Sequence, residues 1–126
     1  MAGLQNREQS EQNHRRFVER VVASRVVWGL RTAAGWAVCD STEFEDTNVM
    51  PFWSDRAYAA RAARDEWATY EPAPIPLDAF IDGWLKGMHG DGCVVGTNWD
   101  ANNCGMERPA ADLARELVEA IGTQHE

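Results

Sequence analysis

The stretch MPFWSDRAYAA at residues 50–60, followed by DEW at residues 65–67, joins a strand end, a helix start and two tryptophans in one unit. Pro51 interrupts a short apolar run, and Ser54 is suited to accept a hydrogen bond from an N-terminal amide of the next turn. Asp55 suits the positive end of a helix dipole. The pattern predicts a short strand that leads into a helix capped by Ser54 and starting at about Asp55. The stretch indicates structure and contains no catalytic motif.

The segment before this stretch predicts a helix and then a β-hairpin. Apolar side chains recur at i, i+4 spacing between Ser10 and Ala23, which indicates an amphipathic helix. Two β-type runs, Val26–Leu30 and Trp36–Cys39, flank a three-residue loop in which Gly35 takes a positive φ. If Thr32 pairs with Trp36, one face of the hairpin carries the large side chains, namely Val26, Trp28, Leu30, Trp36 and Val38.

The other face of this hairpin carries only small side chains, which are Val27, Gly29, Ala37 and Cys39. Such a face is too apolar to be left in water, so we expect either the Ser10–Ala23 helix or a second copy of the chain to cover it. Residues 1–31 hold six arginines against three glutamates, whereas residues 32–126 hold six basic and seventeen acidic groups. The basic N-terminal segment is therefore expected to dock on an acidic body, its own or that of another chain.

The remaining elements follow from periodicity and turn residues. A strand is predicted at Val49–Trp53, and the Ser54-capped helix is predicted to end at about Trp67. The proline-rich segment Tyr70–Pro76 predicts an extended connector or edge strand. The clearest helical pattern runs from Leu77 to Met88. Downstream, we predict a strand at 93–97, a polar loop at 98–105, a strand at 106–108 and a helix from Pro109 to Gly122 with Leu113, Leu117, Val118 and Ile121 facing inward.

These elements predict an α+β fold. We expect a small, mostly antiparallel sheet of four or five short strands, including the N-terminal hairpin, packed with about four helices. Residues 10–122 form the single domain in this prediction, and residues 1–9 form a disordered or flexible tail.

Composition narrows the class of protein. A chain of 126 residues with 44% hydrophobic and 25% charged side chains is typical of one globular domain. No apolar run approaches the roughly 20 residues of a membrane span, and the polar N-terminus lacks the apolar core of a secretory signal. A net charge of −8 would repel a phosphate backbone. We therefore expect no membrane and no nucleic-acid partner.

Several aromatic and turn signatures occur in a fixed order: VWGL, GWAV, PFWSDRAYA, DEW, IPLDAF, WLKGM, DG and VGTNW. In this order the chain resembles an uncharacterised bacterial family catalogued as domain of unknown function 2750, over about residues 17–121. The resemblance implies a single small bacterial domain. It brings no activity, ligand or catalytic residue to assign to this chain.

The spacing of the possible metal ligands does not favour a metal site. Residues 98–103 carry oxygen side chains at alternate positions, but Asn103 stands where a calcium loop needs glycine and Pro109 where it needs glutamate. An EF-hand is excluded, and a turn is favoured over a weaker metal site. The set formed by His89, Cys93 and Cys104 matches no zinc pattern.

The three cysteines of the chain, which are Cys39, Cys93 and Cys104, form no C-x-x-C motif and cannot all pair with one another. They indicate free thiols and a reducing compartment, so we expect a cytoplasmic protein that folds without metal, cofactor or disulfide. Packing of the cysteines as small core residues is favoured over a Cys/His nucleophile such as Cys104 with His89 or His14.

Glu66 has two interpretations. On an uninterrupted helix it lies on the inward side between small residues, where a carboxylate at the C-terminal end of the dipole would have a raised pKa and serve as an acid or base. Alternatively, the helix frays by Asp65, or Glu66 pairs with an arginine.

The candidate binding residues are Trp53, Glu66, Trp99 and Asp100. Trp28, Trp36 and Trp84 lie on predicted inward faces, whereas Trp53 and Trp99 adjoin turns and are the better candidates for a groove. Our leading hypothesis is a non-enzymatic protein-interaction module whose partner is another protein or a second copy of the chain. The alternative is a small-ligand-binding protein or enzyme with a pocket near Trp53, Glu66 and Trp99.

Overall fold

The computed structural model describes residues 2–100 and 105–124. The first half of the chain contains helix α1 (Ala2–Ser24), strands β1 (Val26–Thr32), β2 (Gly35–Trp36), β3 (Cys39–Asp40) and β4 (Asn48–Phe52), helix α2 (Arg56–Ala62) and a 3-10 turn (Asp65–Trp67). Strand β5 (Glu71–Pro76) then leads into one helical segment, which consists of α3 (Leu77–Ala79), a π-helical turn (Phe80–Trp84) and α4 (Leu85–Asp91). The chain continues with strands β6 (Val94–Thr97) and β7 (Met106–Pro109) and with helix α5 (Ala110–Gln124).

The strands form two mostly antiparallel sheets, so the α+β prediction is confirmed. One sheet has the order β2-β1-β5 and the other has the order β3-β4-β6-β7, in which only the β4–β6 pair is parallel. Backbone hydrogen bonds in both directions between Trp28 and Trp53 join the two sheets. The proline-rich strand β5 lies at the edge of its sheet, as predicted, because proline lacks the N–H that a second neighbouring strand would require.

Two clusters of buried apolar side chains form the interior. The first core cluster lies between α1, the helical segment 77–91, α5 and the inner strands, and consists of Phe17, Val21, Val22, Val27, Phe52, Ile75, Leu77, Phe80, Leu85, Met88, Val95, Ala110, Leu113 and Leu117. The second core cluster lies around α2 and the strand ends, and consists of Leu30, Ala37, Val49, Trp53, Ala59, Ala62, Trp67, Val94 and Trp99.

The hairpin register differs by one residue from the prediction. Thr32 pairs with Gly35, and Arg31 with Trp36, so the loop contains two residues instead of three. Gly35 has a φ of +139°, which confirms its predicted positive φ. With this register, Trp36 packs against the first core cluster and Trp28 against the second. The prediction that these two tryptophans share a face is therefore wrong.

Gly29 explains the observed register. A Cβ atom at Gly29 would lie 2.8 Å from Cζ3 of Trp36, closer than real contacts allow, so the indole occupies the space that a side chain at Gly29 would need. The guanidinium of Arg31 lies 5.3 Å over the same ring. A large ring thus pairs with the smallest residue of the strand, and this long-range fit overrides the loop length that turn residues suggest.

Helix α1 covers part of the hairpin, as expected. Phe17 and Val21 are fully buried and belong to the same cluster as Val27 of β1. However, Ala37 belongs to the second core cluster and Cys39 packs against it. The predicted small-residue face is therefore divided between the two clusters. That face was defined from a pairing of Thr32 with Trp36, and the observed pairing is Thr32 with Gly35.

The helix after the central stretch is shorter than predicted. Helix α2 ends at Ala62, and the chain continues into the 3-10 turn in which Trp67 is buried. The residue at the N-cap position is Asp55 and not Ser54, so the predicted cap by Ser54 is wrong. The side chain of Asp55 makes no capping hydrogen bond either. The side chain of Ser54 serves instead the network described below.

The two later helices match the predictions in part. Helical residues run without interruption from Leu77 to Asp91, and the segment ends at Gly92 with a left-handed φ of +71°. Pro109 ends strand β7, so α5 begins one residue later than predicted and continues past Gly122 to Gln124. Val118, predicted to face inward, is 56% exposed.

Candidate functional site

Trp53 and Trp99 lie at the centre of the second core cluster and are linked by hydrogen bonds. Trp53 is fully buried, and its Nε1 donates to the backbone carbonyl of Trp99 at 3.0 Å. The Nε1 of Trp99 donates to the backbone carbonyl of Met106 at 3.0 Å. Both indole N–H groups are thus satisfied inside the protein, which is what a buried tryptophan requires. Sequence reasoning assigned these two residues to an open groove, and most of their surface is in fact core.

Glycine makes the position of Trp99 possible. A Cβ atom at Gly96 would lie 2.5 Å from Cε2 of the Trp99 ring, so any side chain there would displace the indole. Gly105 approaches the other part of the same ring equally closely. In the VGTNW signature, the ring of Trp99 therefore folds back after the strand and packs against Gly96.

A buried polar network connects the end of β6 to the start of α2. The side-chain Oδ1 of Asn98 accepts a hydrogen bond from the Ser54 backbone N–H at 2.8 Å, and Nδ2 of Asn98 lies 3.0 Å from Oγ of Ser54. Oγ of Ser54 donates to Asp55 at 2.6 Å, and Asp55 in turn forms an ion pair with Arg20 of α1 at 2.6 Å. Asn98 has a φ of +46°, a conformation that asparagine tolerates better than most residues. The network holds the loop after β6 in a defined position against α1 and α2.

An open cleft of about 280 Å³ lies beside this network. Polar groups and two aromatic side chains line it, and they come from α1, α2 and the loop after β6: Gln9, Asn13, Arg16, Tyr58, Arg61, Asn98, Trp99 and Asp100. We call it the arginine cleft.

Cationic groups surround the aromatic ring of Tyr58 in the arginine cleft. The guanidinium of Arg61 lies 5.2 Å from the ring centroid and that of Arg20 lies 5.8 Å from it. Arg16, which is exposed on α1, faces the same cleft. Two of these three arginines line the cleft itself, and the third already pairs with Asp55. The cleft therefore presents fork-shaped hydrogen-bond donors with permanent positive charge, which suit carboxylate groups.

The structure brings three of the four candidate residues together. Trp99 and Asp100 line the arginine cleft, and Trp53 lies directly behind it through its bond to the Trp99 carbonyl. Glu66 is exposed on the 3-10 turn and is not among the residues that line the cleft. The inward position considered for Glu66 is wrong because the helix ends four residues before it, as the fraying interpretation required.

Sequence reasoning missed the arginines of the cleft. The one available signal was the excess of arginine over glutamate in the first part of the chain, which predicted an acidic partner without naming a site. Arg61 carried no signal, because an arginine in an alanine-rich helix is common on solvated faces.

The described thiols are poor nucleophiles. Burial, followed by repulsion from Glu66 and from Glu107, raises the pKa of Cys39 from 9.0 to about 11. Burial also raises the pKa of Cys93. Because the thiolate is the reactive form, both shifts favour the packing interpretation over a catalytic one. Cys104, and with it the proposed Cys104–histidine pair, lies outside the described residues.

A second buried polar cluster lies away from the cleft. Nδ1 of His14 lies 2.8 Å from Oγ1 of Thr97, and Nε2 of His14 lies 2.6 Å from a carboxylate oxygen of Glu116. Arg108 approaches the other carboxylate oxygen at 3.1 Å. The order of hydroxyl, imidazole and carboxylate resembles a nucleophilic triad, but Thr97 is completely buried and no substrate can reach its hydroxyl. The cluster ties α1 and α5 to strand β6.

Two other kinds of site are absent from residues 2–100 and 105–124. In these ranges, no three histidine, cysteine or acidic side chains are placed to hold one metal ion. In the same ranges, no helix combines the length and the apolar character that a membrane crossing requires. Folding without metal stays a prediction.

Comparison with known proteins places the chain in a family. Nothing among curated proteins or solved structures matches it. A family described as protein of unknown function matches residues 14–117, which include α1 from His14 onward, both sheets, the loop after β6 and the first half of α5. The order of signatures quoted above indicated the same family from sequence. The chain belongs to the family described as Protein of unknown function (DUF2750).

Proposed function

We propose that the chain is a non-enzymatic protein-interaction module that binds an acidic segment of a partner protein in the arginine cleft. The observation that carries the proposal is the convergence of Arg16 from α1 and Arg61 from α2 on one cleft beside Tyr58. A guanidinium stays charged at every physiological pH and donates two parallel hydrogen bonds to a carboxylate. Two arginines on separate helices are thus suited to acidic side chains spaced along a peptide.

The other lining groups suit a peptide backbone better than a free anion. Gln9 and Asn13 lie one helical turn apart, with the Nε2 of Gln9 donating to Oδ1 of Asn13 at 2.9 Å. Side-chain amides both donate and accept hydrogen bonds, as peptide groups do. The edge of Trp99 adds an apolar wall. Arginine, amide and indole groups together match the charged, polar and apolar parts of an extended acidic segment.

Electrostatics restrict the partner to a short acidic segment. The chain carries a net charge of −8, so a long polyanion such as nucleic acid is repelled by the body of the protein. Charges separated by more than about 10 Å are screened at physiological salt, so a short segment is governed by the cleft. The acidic side chains are therefore expected on the side of Arg16 and Arg61.

A labelled peptide tests the proposal. The probe is a fluorescent glutamate-rich peptide, compared with a lysine-rich peptide of equal length, and binding is measured by fluorescence anisotropy at two salt concentrations. We expect the full chain to bind the glutamate-rich peptide, with lower affinity at higher salt. Replacing both Arg16 and Arg61 by alanine should reduce affinity by about tenfold or more.

The matched control removes two positive charges elsewhere. Lys86 and Arg115 are exposed and do not line the arginine cleft, so Lys86→Ala with Arg115→Ala changes the net charge equally. This control should bind the peptide within a factor of about two of the original chain if the cleft is the binding site. Equal losses in the two double variants would show a general charge effect and contradict the proposal.

The alternative function predicts a different competition result. In a small-ligand-binding protein or enzyme with its pocket near Trp53, Glu66 and Trp99, free glutamate or inorganic phosphate would fill the site and displace the peptide completely. An interaction module should lose the peptide only to a second acidic peptide, because the amide and indole contacts need a chain. The position of Glu66 outside the cleft lining favours the interaction module.

We propose the bacterial cytoplasm as the compartment. Two cysteines, Cys39 and Cys93, are free and half-buried in the described part of the chain. Free thiols persist in a reducing compartment. Fractionation of cells that express the full chain, with the protein expected in the soluble cytoplasmic fraction, tests this placement.

A further inference from the structure

The loop between β3 and β4 is the most acidic stretch of the sequence. Residues 43–46 hold three carboxylates in four positions, and no lysine, arginine or histidine occurs between Arg31 and Arg56. Residues 42–46, which we call the acidic loop, are all exposed. Phe44, in the middle of the acidic loop, exposes 42% of its surface to solvent. The acidic loop thus combines carboxylates with an exposed aromatic ring.

Glu107 of β7 holds the base of the acidic loop in place. Its carboxylate accepts hydrogen bonds from the hydroxyl of Ser41 and, at 3.2 Å, from the backbone N–H of Thr42. Oγ of Ser41 in turn accepts hydrogen bonds from the backbone N–H groups of Glu43 at 3.0 Å and Phe44 at 2.8 Å. The backbone of the acidic loop is therefore ordered before a partner arrives, which lowers the entropy cost of binding.

The acidic loop lies away from the arginine cleft of its own chain. The cleft is lined by α1, α2 and the loop after β6, and none of residues 42–46, all of which the structure describes, is among its lining residues. Instead, Asp46 lines a different cavity, together with Trp36 and Met50. An acidic loop that is held at β7 by Glu107 meets an arginine cleft on another molecule.

The acidic loop and the arginine cleft are complementary in charge and in apolar character. The cleft presents Arg16 and Arg61 beside the rings of Tyr58 and Trp99. Residues 43–45 of the acidic loop present a carboxylate, an aromatic ring and a second carboxylate in succession. Guanidinium groups pair with carboxylates through two parallel hydrogen bonds, and aromatic pairs gain energy beyond the burial of their area. The carboxylates therefore suit the two arginines, and the ring of the loop suits the aromatic wall.

We propose that the acidic segment bound in the arginine cleft is the acidic loop of a second copy of this chain. This inference rests on the proposed function, because it names the partner of the same site. The loop and the cleft are different surfaces, so the contact is head-to-tail. A contact made by one short loop is small, and two copies of net charge −8 repel each other at long range, so the association is weak and reversible.

Two complementary variants of the full chain test the contact by analytical ultracentrifugation over a wide concentration range. The cleft variant, Arg16→Ala with Arg61→Ala, keeps the acidic loop, and the loop variant, Glu43→Gln with Glu45→Gln, keeps the cleft. All four side chains are exposed, so both variants should retain the far-ultraviolet spectrum of the original chain. We expect the original chain to associate as its concentration rises, and each variant alone to have a dissociation constant about tenfold higher or more.

A mixture of the two variants contains one intact loop and one intact cleft per pair of molecules. It should form a one-to-one complex and no larger species, with a dissociation constant within a factor of about three of the original contact. A general charge effect would not restore association on mixing. Variants that fail to combine, or an original chain that stays monomeric at every concentration, overturn the proposal.

The matched control removes two negative charges outside the acidic loop. Glu71→Gln with Glu119→Gln changes two exposed glutamates that do not line the arginine cleft, and this chain should associate as the original does. Phe44→Ala keeps every carboxylate of the loop and should weaken the contact about fivefold through the loss of its ring. A control that associates as weakly as the loop variant contradicts the proposal.

Peptide binding separates the failure of this inference from the failure of the proposed function. The loop variant keeps the arginine cleft, so it should bind the fluorescent glutamate-rich peptide at least as tightly as the original chain does. A chain that binds the peptide in its cleft and never associates with itself refutes the second copy as the partner and keeps the proposed function. A chain that binds no acidic peptide refutes the proposed function, and this inference with it.

Discussion

The two core clusters are held together by different kinds of interaction. The first joins apolar side chains from α1, both sheets and the later helices, and its aromatic rings meet edge to face, as Phe52 and Phe80 do at 4.9 Å. The second depends on directional hydrogen bonds, in which Trp53 and Trp99 donate to backbone carbonyls next to the Ser54–Asn98 pair.

The difference extends to the surface beside each cluster. A groove lined by Leu77, Ile81, Val118 and Ile121 adjoins the first cluster and is largely apolar, whereas the arginine cleft adjoins the second and is polar. Apolar burial is not directional, so it constrains the orientation of the packed groups less than hydrogen bonds do. Hydrogen bonds define geometry, so they hold the arginine cleft in one arrangement. The first region is therefore held by non-directional apolar packing, and the second by directional hydrogen bonds.

Deletion of residues 1–24 should have the largest effect, because it removes Phe17, Val21 and Val22 from the first cluster. Truncating one buried phenylalanine costs about 3–5 kcal/mol. A domain has about 5–15 kcal/mol of stability in total. We expect aggregation or the loss of cooperative unfolding in urea. A well-folded monomer of undiminished stability would show that α1 is an appendage and would remove the contrast between the clusters.

Asn98→Ala should destabilise the second region by less. It leaves the backbone N–H of Ser54, at a residue that is 5% exposed, without its acceptor. An unsatisfied buried group costs about 1–3 kcal/mol. Alanine at the positive φ of position 98 adds about 1 kcal/mol. Urea unfolding measures the sum.

Asn98→Gly separates the two contributions to this effect. It removes the same side chain and leaves the positive φ unstrained, so it should cost about 1 kcal/mol less than Asn98→Ala. Equal stability of Asn98→Ala and the original chain would contradict the role of the network in holding the second region.

Gly35→Ala tests the hairpin that supplies residues to both clusters. Gly35 has a φ of +139°, which disfavours any Cβ atom, and we expect a loss of about 1 kcal/mol or more. Gly83 is an exposed helical glycine with no atom within 4 Å of a Cβ added there. Gly83→Ala should therefore act in the opposite direction and stabilise slightly. Thermal melts that show both changes with the same sign would contradict the assignment.

At neutral pH the smallest expected effect is that of Cys39 beside the second cluster, because its thiol is then protonated in both the folded and the unfolded chain. Its raised pKa of about 11, against 9.0 in an unfolded chain, means that the unfolded state loses the thiol proton first. The Cys39 thiol therefore makes its full contribution to the free energy of unfolding below pH 9, and this contribution is lost as the pH rises toward 11.

Alkylation of the folded chain measures the same shift directly. The rate at Cys39, followed by peptide mass spectrometry, should reach half its maximum near pH 11. The denatured chain serves as the control, with a midpoint near 9.0. A midpoint near 9.0 in the folded chain would show that the thiol is not shielded by burial and by Glu66.

Sequence patterns predicted the elements that depend on neighbours a few residues away. The helices predicted at 10–23 and 77–88, the strand predicted at 49–53 and the proline-rich edge strand are all present in the fold. They follow from periodicity, turn residues and the missing proline N–H. The positive φ of Gly35 follows from the same local rules. The signatures also indicated the family, because their order along the chain is a property of sequence alone.

Tertiary packing decided the rest, because contacts between distant residues are not encoded in any local pattern. Trp36 fits over Gly29, and this fit moved the hairpin register by one residue. Asn98 bonds to Ser54, forty-four positions earlier, and thereby removes the predicted helix cap. Likewise, Arg16 and Arg61 face one cleft only after α1 and α2 have packed together. The sequence by itself thus determined where most helices and strands lie and which family they make up. Only three-dimensional packing determined where α2 ends and which side chains meet, since both depend on volume and hydrogen bonding across distant parts of the chain.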